Sequence, residues 1–403
     1  MSKKKGDLHM KIVILTGKFG MGHYMAASAI AEHWKLAQPN AQIEVIDWFH
    51  YVFPHLSLPG YRLFGWIVQH AQKFYNERYC RLENKQTEFK PQIPALMLWR
   101  FHHLLWEKQP DLIIATLPLC SQTVCYYREK TGNRVPLITC VTDITAHSEW
   151  IHQETDAYMV GSELVKQGLI KKGIPSGRIT VTGIPVNPRF DEPREASFDH
   201  EHMTDSSFTG TPKKKLLIMG GGLGMLPTVP GFYQYLESQA NRLETTIITG
   251  RNKSLMLRLS AAYPSLRVLG YVNDIPAYMK EADAIVTKPG GITTFEAIHS
   301  ETPIFAWNPG LRQEVYNGDF LEVMQIGAVI HENTVEGIRK VCGFLSDDRK
   351  MQTLRKNMHA LKAYYSQNSI LDVAQKALDY ASLQDLYQLK KGDYLHEAVG
   401  YNL

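Results

Sequence analysis

Lys11-Ile-Val-Ile-Leu-Thr-Gly17, with Gly20 and Gly22 close behind, decides the fold because the pattern recurs. A helical stretch with Ala26, Ala27, Ala29, Ile30 and Ala31 follows it. In the second half, Leu216-Leu-Ile-Met219 runs into Gly220-Gly-Gly-Leu-Gly224, and a helix is expected through Tyr233 to Leu243. Each is a strand, a glycine turn and a helix, the opening unit of a doubly wound α/β domain. Short apolar runs at 43–46, 112–115, 137–142 and 157–160 read as further strands of the first half. Those at 245–249, 266–269, 284–287 and 303–306 read as strands of the second.

The expected organisation is therefore α/β, with two Rossmann-like doubly wound domains facing a cleft. The first spans 1–190. A polar linker broken by Pro193 and Pro212 spans 191–215, and the second domain spans 216–403 and includes the C-terminal helices. The length of 403 residues suits two or three domains. A hydrophobic share of 44% with 21% charged residues describes an ordinary globular chain. No apolar run is long enough to span a bilayer, and Ile12–Leu15 after Lys3-Lys-Lys5 is too short for a signal-peptide core. Five cysteines with no Cys-x-x-Cys pair read as free thiols in a reducing cytoplasm. A net charge of +4 does not call for a nucleic-acid partner, and none is expected.

A glycine turn entering a helix presents free backbone N–H groups and the positive end of the helix dipole, which suits phosphate. Three candidates occur: 17–22, 220–224, and Pro289-Gly290-Gly291 before Thr293-Thr294. Two in one half suggest a diphosphate ligand there. Gly220-x-Gly222 has Met225 where a dinucleotide fingerprint needs its third glycine, no Gly-Lys-Ser/Thr is present, and no Asp-x-Asp metal motif exists. A nucleotide-sugar site without metal or cofactor remains, its diphosphate neutralised by helix ends and side chains.

Gly270-Tyr-Val-Asn-Asp-Ile-Pro-Ala-Tyr-Met279, the run from Ala282 through Thr-Lys-Pro-Gly-Gly to Ala297, and Pro309-Gly-Leu-Arg-Gln-Glu-Val-Tyr-Asn317 resemble the C-terminal signature of family 28 glycosyltransferases. Gly20-Met-Gly-His23 and Val141-Thr-Asp143…Trp150-Ile-His152 resemble its diacylglycerol sugar transferases in particular. The resemblance covers about 11–345. It implies a GT-B fold, a UDP-glucose or UDP-galactose donor, and a diacylglycerol or glycosyl-diacylglycerol acceptor. It also implies an inverting transfer that makes glycolipid.

By the resemblance, Glu296 bonds the ribose, a role its carboxylate suits because it accepts from both hydroxyls of a cis-diol. Uracil lies against Tyr271 and Val272, and Gly221 and Gly222 let the chain approach the phosphates. Gly290 and Gly291 shape the second phosphate loop. Thr293 and Thr294 either donate to phosphate or simply cap the helix. Gln313, Glu314 and Asn317, at the start of one helix, read the sugar hydroxyls. Relatives place an arginine after Val186; this chain has Asn187-Pro-Arg189, so either Arg189 substitutes or helix ends with Lys288 or Arg251 suffice. On the acceptor side His23 is a candidate general base, with Asp143 and His147 as orienting groups or alternative bases.

Residues 48–106 hold 14 of the 42 aromatics and four of the seven tryptophans, with a local net charge of +4. Aromatic bodies with basic heads suit a membrane interface rich in anionic lipid. The expected location is cytoplasmic, peripheral on the inner face of the cell membrane. A polyprenyl-linked or soluble acceptor, or a non-catalytic nucleotide-sugar sensor, stand as alternatives.

Overall fold

The computed structural model describes residues 10–83, 92–192, 213–222, 224–307, 310–331 and 334–383. The chain forms two compact units, one of Met1–Asn187 with Tyr365–Leu403 and one of Pro188–Tyr364.

The first unit runs β1 (Lys11–Thr16), α1 (Gly22–Ala37), β2 (Gln42–Asp47), α2 (Trp48–Val52), α3 (Ser57–His70), α4 (Gln72–Glu83), α5 (Ala95–Lys108), β3 (Leu112–Ala115), α6 (Pro118–Thr131), β4 (Leu137–Cys140), β5 (Ala157–Val160), α7 (Glu163–Lys171) and β6 (Ile179–Val181). Its strands are fully parallel in the order β2-β1-β3-β4-β5-β6, with Ile12 opposite Leu112. Because β3 pairs on the other side of β1 from β2, the strand order reverses between β1 and β3. In doubly wound sheets the ligand crevice opens at that reversal, beyond the carboxyl ends of the strands.

The second unit runs β7 (Lys214–Met219), α8 (Pro230–Ser238), β8 (Leu243–Ile248), α9 (Lys253–Ala262), β9 (Arg267–Leu269), α10 (Ile275–Glu281), β10 (Ala284–Thr287), α11 (Gly291–His299), β11 (Ile304–Trp307), α12 (Arg312–Val323), β12 (Gly327–Ile330), α13 (Thr334–Leu345) and α14 (Asp348–Tyr365). Its parallel order is β12-β11-β10-β7-β8-β9, with Leu217 opposite Ile285, so the reversal lies between β7 and β10. The loops that leave these two strands are the glycine loops at 220–224 and 289–291.

Three expectations need correction. The C-terminal segment does not extend the second domain. Val373, Ala374 and Ala377 are buried beside Ile12, Ile14, Ile30 and Trp34 in the first unit's core, so the chain crosses back at Tyr365. The expected linker lies mostly outside the described residues. Its first residue, Asp191, is already fastened within the second unit, 2.7 Å from His299 Nδ1 and 3.4 Å from Lys362 Nζ. Finally, α8 starts six residues after Gly224 and ends at Ser238, while Leu243 opens β8. The 220–224 loop therefore does not run straight into a helix.

Among the described residues, the first unit inserts four helices, α2 to α5, between β2 and β3, in place of the single crossover helix of a simple βαβ unit. α5 buries Met97, Phe101 and Leu104, whereas α3 buries only Ser57 and α4 only Tyr79. The inner aromatics of α3 rest on an edge-to-face bed. Tyr61 and Phe64 lie 4.7 and 5.3 Å from Phe19, and Gly60 permits close approach to Phe49. Its outer face leaves large apolar groups in solvent.

Candidate donor and acceptor sites

In the second unit the Gly220–Gly224 loop folds on itself and against the turn after β8. The Met225 N–H donates to the Gly220 carbonyl (2.8 Å) and the Arg251 N–H to the Gly222 carbonyl (3.3 Å). Gly224 adopts φ +64°, and a Cβ there would stand 2.1 Å from the Thr249 carbonyl oxygen. Only glycine fits, so the loop's tightness is a sequence requirement. Gly221 and Gly222 are its solvent-facing residues. Arg251 is exposed beside them, its guanidinium 5.8 Å from the ring of Tyr271, which is itself 63% exposed; Val272 is half-buried. An exposed ring with a cation over it is a ready face for a planar base.

The Pro289–Gly291 loop enters α11 directly, with Gly290 as N-cap, so the first N–H groups of the helix point out of the loop. Thr294 is fully buried and its hydroxyl donates to the Gly290 carbonyl (3.0 Å). It braces the turn, which leaves Thr293 as the threonine that reaches solvent. The Thr293 hydroxyl bonds the Glu296 carboxylate. Burial raises the Glu296 pKa to about 7, only partly offset by that bond.

Glu314 and Asn317 do not point outward as the helix-start spacing suggested. Glu314 is the third residue of α12 and its Oε2 accepts from the N–H groups of Gly310 (3.1 Å) and Leu311 (3.3 Å), closing a capping arrangement. Its Oε1 sits 3.5 Å from Lys288 Nζ. Asn317 is buried and donates Nδ2–H to the Pro289 carbonyl (2.8 Å). Asn317 braces the Pro289–Gly291 loop and Glu314 the start of its own helix, and Gln313 alone of the three is partly exposed. Arg189 is engaged elsewhere: its Nη2 donates to Asp274 Oδ2 (2.9 Å) at the start of α10. Among the described residues, Arg251 stands beside the first glycine loop and Lys288 immediately precedes the second.

In the first unit, His23 stands on the opening turn of α1 at the β1–β3 reversal. Thr116, just past β3, donates its hydroxyl to the His23 carbonyl (3.0 Å), and its Oγ1 lies 2.8 Å from Thr16 Oγ1. The ring Nδ1 bonds Thr142 Oγ1 at 2.6 Å. The ring is also hydrogen-bonded to the Thr116 backbone. Burial lowers the His23 pKa, and the Asp143 carboxylate acts in the opposite direction. Asp143 Oδ2 accepts from Trp150 Nε1 (2.8 Å), and the Trp150 and His23 rings lie 6.1 Å apart. His23, Thr142, Asp143 and Trp150 thus form one cluster.

His147 is not part of it. It is 1% exposed and stacks on Tyr79 at 4.2 Å. Its Nε2 lies 3.1 Å from the Tyr79 carbonyl, so Nε2 must donate; Nδ1 then accepts from the Glu149 N–H (3.4 Å). With both nitrogens occupied, its role is to hold the loop. Thr142 escaped the sequence reading as a partner of His23. The only signal was its place beside Asp143, and the partners are 119 positions apart.

Among the described residues, no three His, Cys, Asp or Glu side chains converge as metal ligands, and no helix is long and apolar enough to cross a membrane.

Residues 23–186 match the family model for monogalactosyldiacylglycerol (MGDG) synthase. A processive diacylglycerol beta-glucosyltransferase from Bacillus pumilus is 30% identical over 389 residues, covering 91% of this chain and 94% of that protein. Among solved structures, Acinetobacter baumannii MurG superposes with a TM-score of 0.54 at 13% identity, covering 93% of this chain and 99% of its own. The Anabaena protein Alr3699/HepE in complex with UDP-glucose gives 0.50 at 14%, covering 94% and 100%. These likenesses place both units in the GT-B fold.

Proposed function

Because the chain belongs to the family of processive diacylglycerol beta-glucosyltransferases within the family 28 glycosyltransferases, we propose that it moves a hexose from UDP-glucose or UDP-galactose to a diacylglycerol hydroxyl, with inversion, without a metal and at a membrane surface. The observation that carries the donor assignment is the pair of glycine loops flanking the β7–β10 reversal, with Glu296 on the helix that leaves the second. The UDP-glucose bound by the Anabaena neighbour supports a donor of this class.

The diphosphate meets the N-terminus of α11 together with Lys288 and Arg251, and Glu296 accepts from the ribose hydroxyls. His23 serves as base. Its lowered pKa keeps the imidazole neutral near pH 7; with its proton on Nδ1, toward Thr142, the ring offers Nε2 as the accepting nitrogen. As Nε2 takes the proton of the acceptor hydroxyl, the oxygen forms its bond to the anomeric carbon. The bond to UDP breaks on the opposite face, and UDP leaves with the electron pair. The Asp143 carboxylate favours the imidazolium that results.

UDP release should depend on added diacylglycerol and continue in excess EDTA. Loss of turnover in chelator, restored by Mg²⁺ or Mn²⁺, would contradict the metal-free mechanism.

The outward face of the inserted helices supports the lipid reading. Trp66 is 56% exposed, Phe74 64%, Trp99 58% and Trp106 72%, with exposed Arg62 and Arg81 among them. Each basic residue near an anionic surface contributes about 1 kcal/mol, screened over about 8–10 Å. Arg62→Glu with Arg81→Glu should therefore weaken binding to anionic vesicles at least about tenfold at low salt. Trp66→Ala should weaken it in a salt-insensitive way, because its contribution is apolar. Equal binding by all three proteins would place the lipid contact elsewhere.

A further inference from the structure

The inserted helices reach back to the segment that carries Asp143. On α4 the inner residue is Tyr79. Its carbonyl accepts from His147 Nε2 (3.1 Å), and its hydroxyl is 2.9 Å from Thr145 Oγ1. One turn on, the Glu83 carbonyl accepts from Lys172 Nζ (3.1 Å). The same ammonium donates to the Ala146 carbonyl (2.9 Å) and Ser148 Oγ (3.0 Å), so all three of its hydrogens are used. From the other side α7 presses close: a Cβ on Gly168 would stand 2.6 Å from that of Ala146. Residues 143–150 are thus clamped between α4 and α7, and Trp150 ties the far end of the segment back to Asp143.

The outer side of α4 carries the exposed Phe74 and Arg81, while the exposed Arg78 also acts on the Glu149 carboxylate of the clamped segment. The helix buries one residue, Tyr79. Few buried apolar contacts mean a low cost of local displacement. An anionic lipid surface gripping the outer face would remove that freedom.

We propose that Tyr79 and Lys172 are positioning residues: they fasten the 143–150 segment to α4, so that seating α4 on an anionic lipid surface sets the geometry of Asp143 and thereby turnover. This rests on the function proposed above. The thermodynamic content is a population shift: lipid binds the seated arrangement better, and only that arrangement turns over at full rate.

The test compares kcat on vesicles of diacylglycerol and anionic phospholipid with kcat on the same diacylglycerol in neutral detergent micelles, at saturating UDP-sugar. Wild type should be about tenfold faster on vesicles, a shift of ordinary size for a two-state element. Tyr79→Phe, Thr145→Val and Lys172→Met should each lose most of that advantage, with vesicle binding, donor KM and micelle kcat unchanged. Tyr79→Phe combined with Thr145→Val should be no slower than either alone, because both remove one link. Variants that slow equally in both media, or a double variant with multiplied losses, would overturn the inference. A wild type that glycosylates diacylglycerol equally fast in both media overturns it and leaves the proposed function standing. A wild type with no transfer in either medium overturns the proposed function and this inference together.

Discussion

His23→Ala is expected to lower kcat by about 10²–10⁴-fold, the usual contribution of a general base, with donor KM nearly unchanged. The imidazole sits at the β1–β3 reversal and its partners, Thr142, Asp143 and Trp150, all lie in the first unit, whereas the proposed donor residues belong to the second. The pH profile adds a second check. At saturating donor, kcat should fall on the acid side with a midpoint below that of an ordinary histidine, because burial lowers the His23 pKa. Asp143→Asn should move that midpoint lower still, since the carboxylate is what favours the charged ring. A His23→Ala enzyme that keeps wild-type kcat would pass the base role to Asp143. A rise in donor KM with kcat unchanged would instead make His23 a binding residue.

Glu296→Ala should raise donor KM by about 10²–10⁴-fold and lower kcat much less. It loses two hydrogen bonds to a charged acceptor, each worth about 1.5–3 kcal/mol, and the ribose is remote from the reacting carbon. Because the carboxyl titrates at about 7 in the free protein, wild-type donor KM should rise below that pH, roughly tenfold for the first unit, as the protonated form loses its acceptor capacity. Glu296→Gln should flatten that dependence.

The same shift makes an opposite prediction for stability. The folded pKa lies above the unfolded value, so the folded state binds the extra proton between the two. Stability from this group is full below the unfolded pKa and is lost as pH rises through about 7. Without donor at pH 8, Glu296→Gln should therefore be more stable than wild type, by roughly 1–3 kcal/mol. A variant less stable than wild type at pH 8 would show that the carboxylate is paired there.

The strand cores were legible because buried parallel strands read as short apolar runs, as 112–115 and 284–287 do. β6 escaped because Thr180 interrupts its three-residue apolar run, and β12 because it opens on Gly327-Ala328 and offers only Val329 and Ile330 as strand formers. The glycine loops were legible, since Gly224 and Gly290 hold positions that local geometry dictates. Side-chain direction was not. Glu314 has the spacing of a substrate contact and equally that of a helix cap, and the loop carbonyls and N–H groups that claim it lie outside any periodic pattern. His147 lies in a run dense with reactive residues, yet the Tyr79 ring and carbonyl turn it inward from 68 positions away. The C-terminal helix shows an apolar face at Val373, Ala374 and Ala377, but nothing local says which sheet it covers.

The most direct test of the central claim is product analysis with purified protein, UDP-glucose and UDP-galactose over mixed vesicles of diacylglycerol and anionic phospholipid, in EDTA. The account predicts a hexosyl-diacylglycerol whose sugar is β-linked, inverted from the α-linked donor, with one UDP released for each sugar transferred. An α-linked product, or UDP release with no sugar on the lipid from either donor, would contradict it.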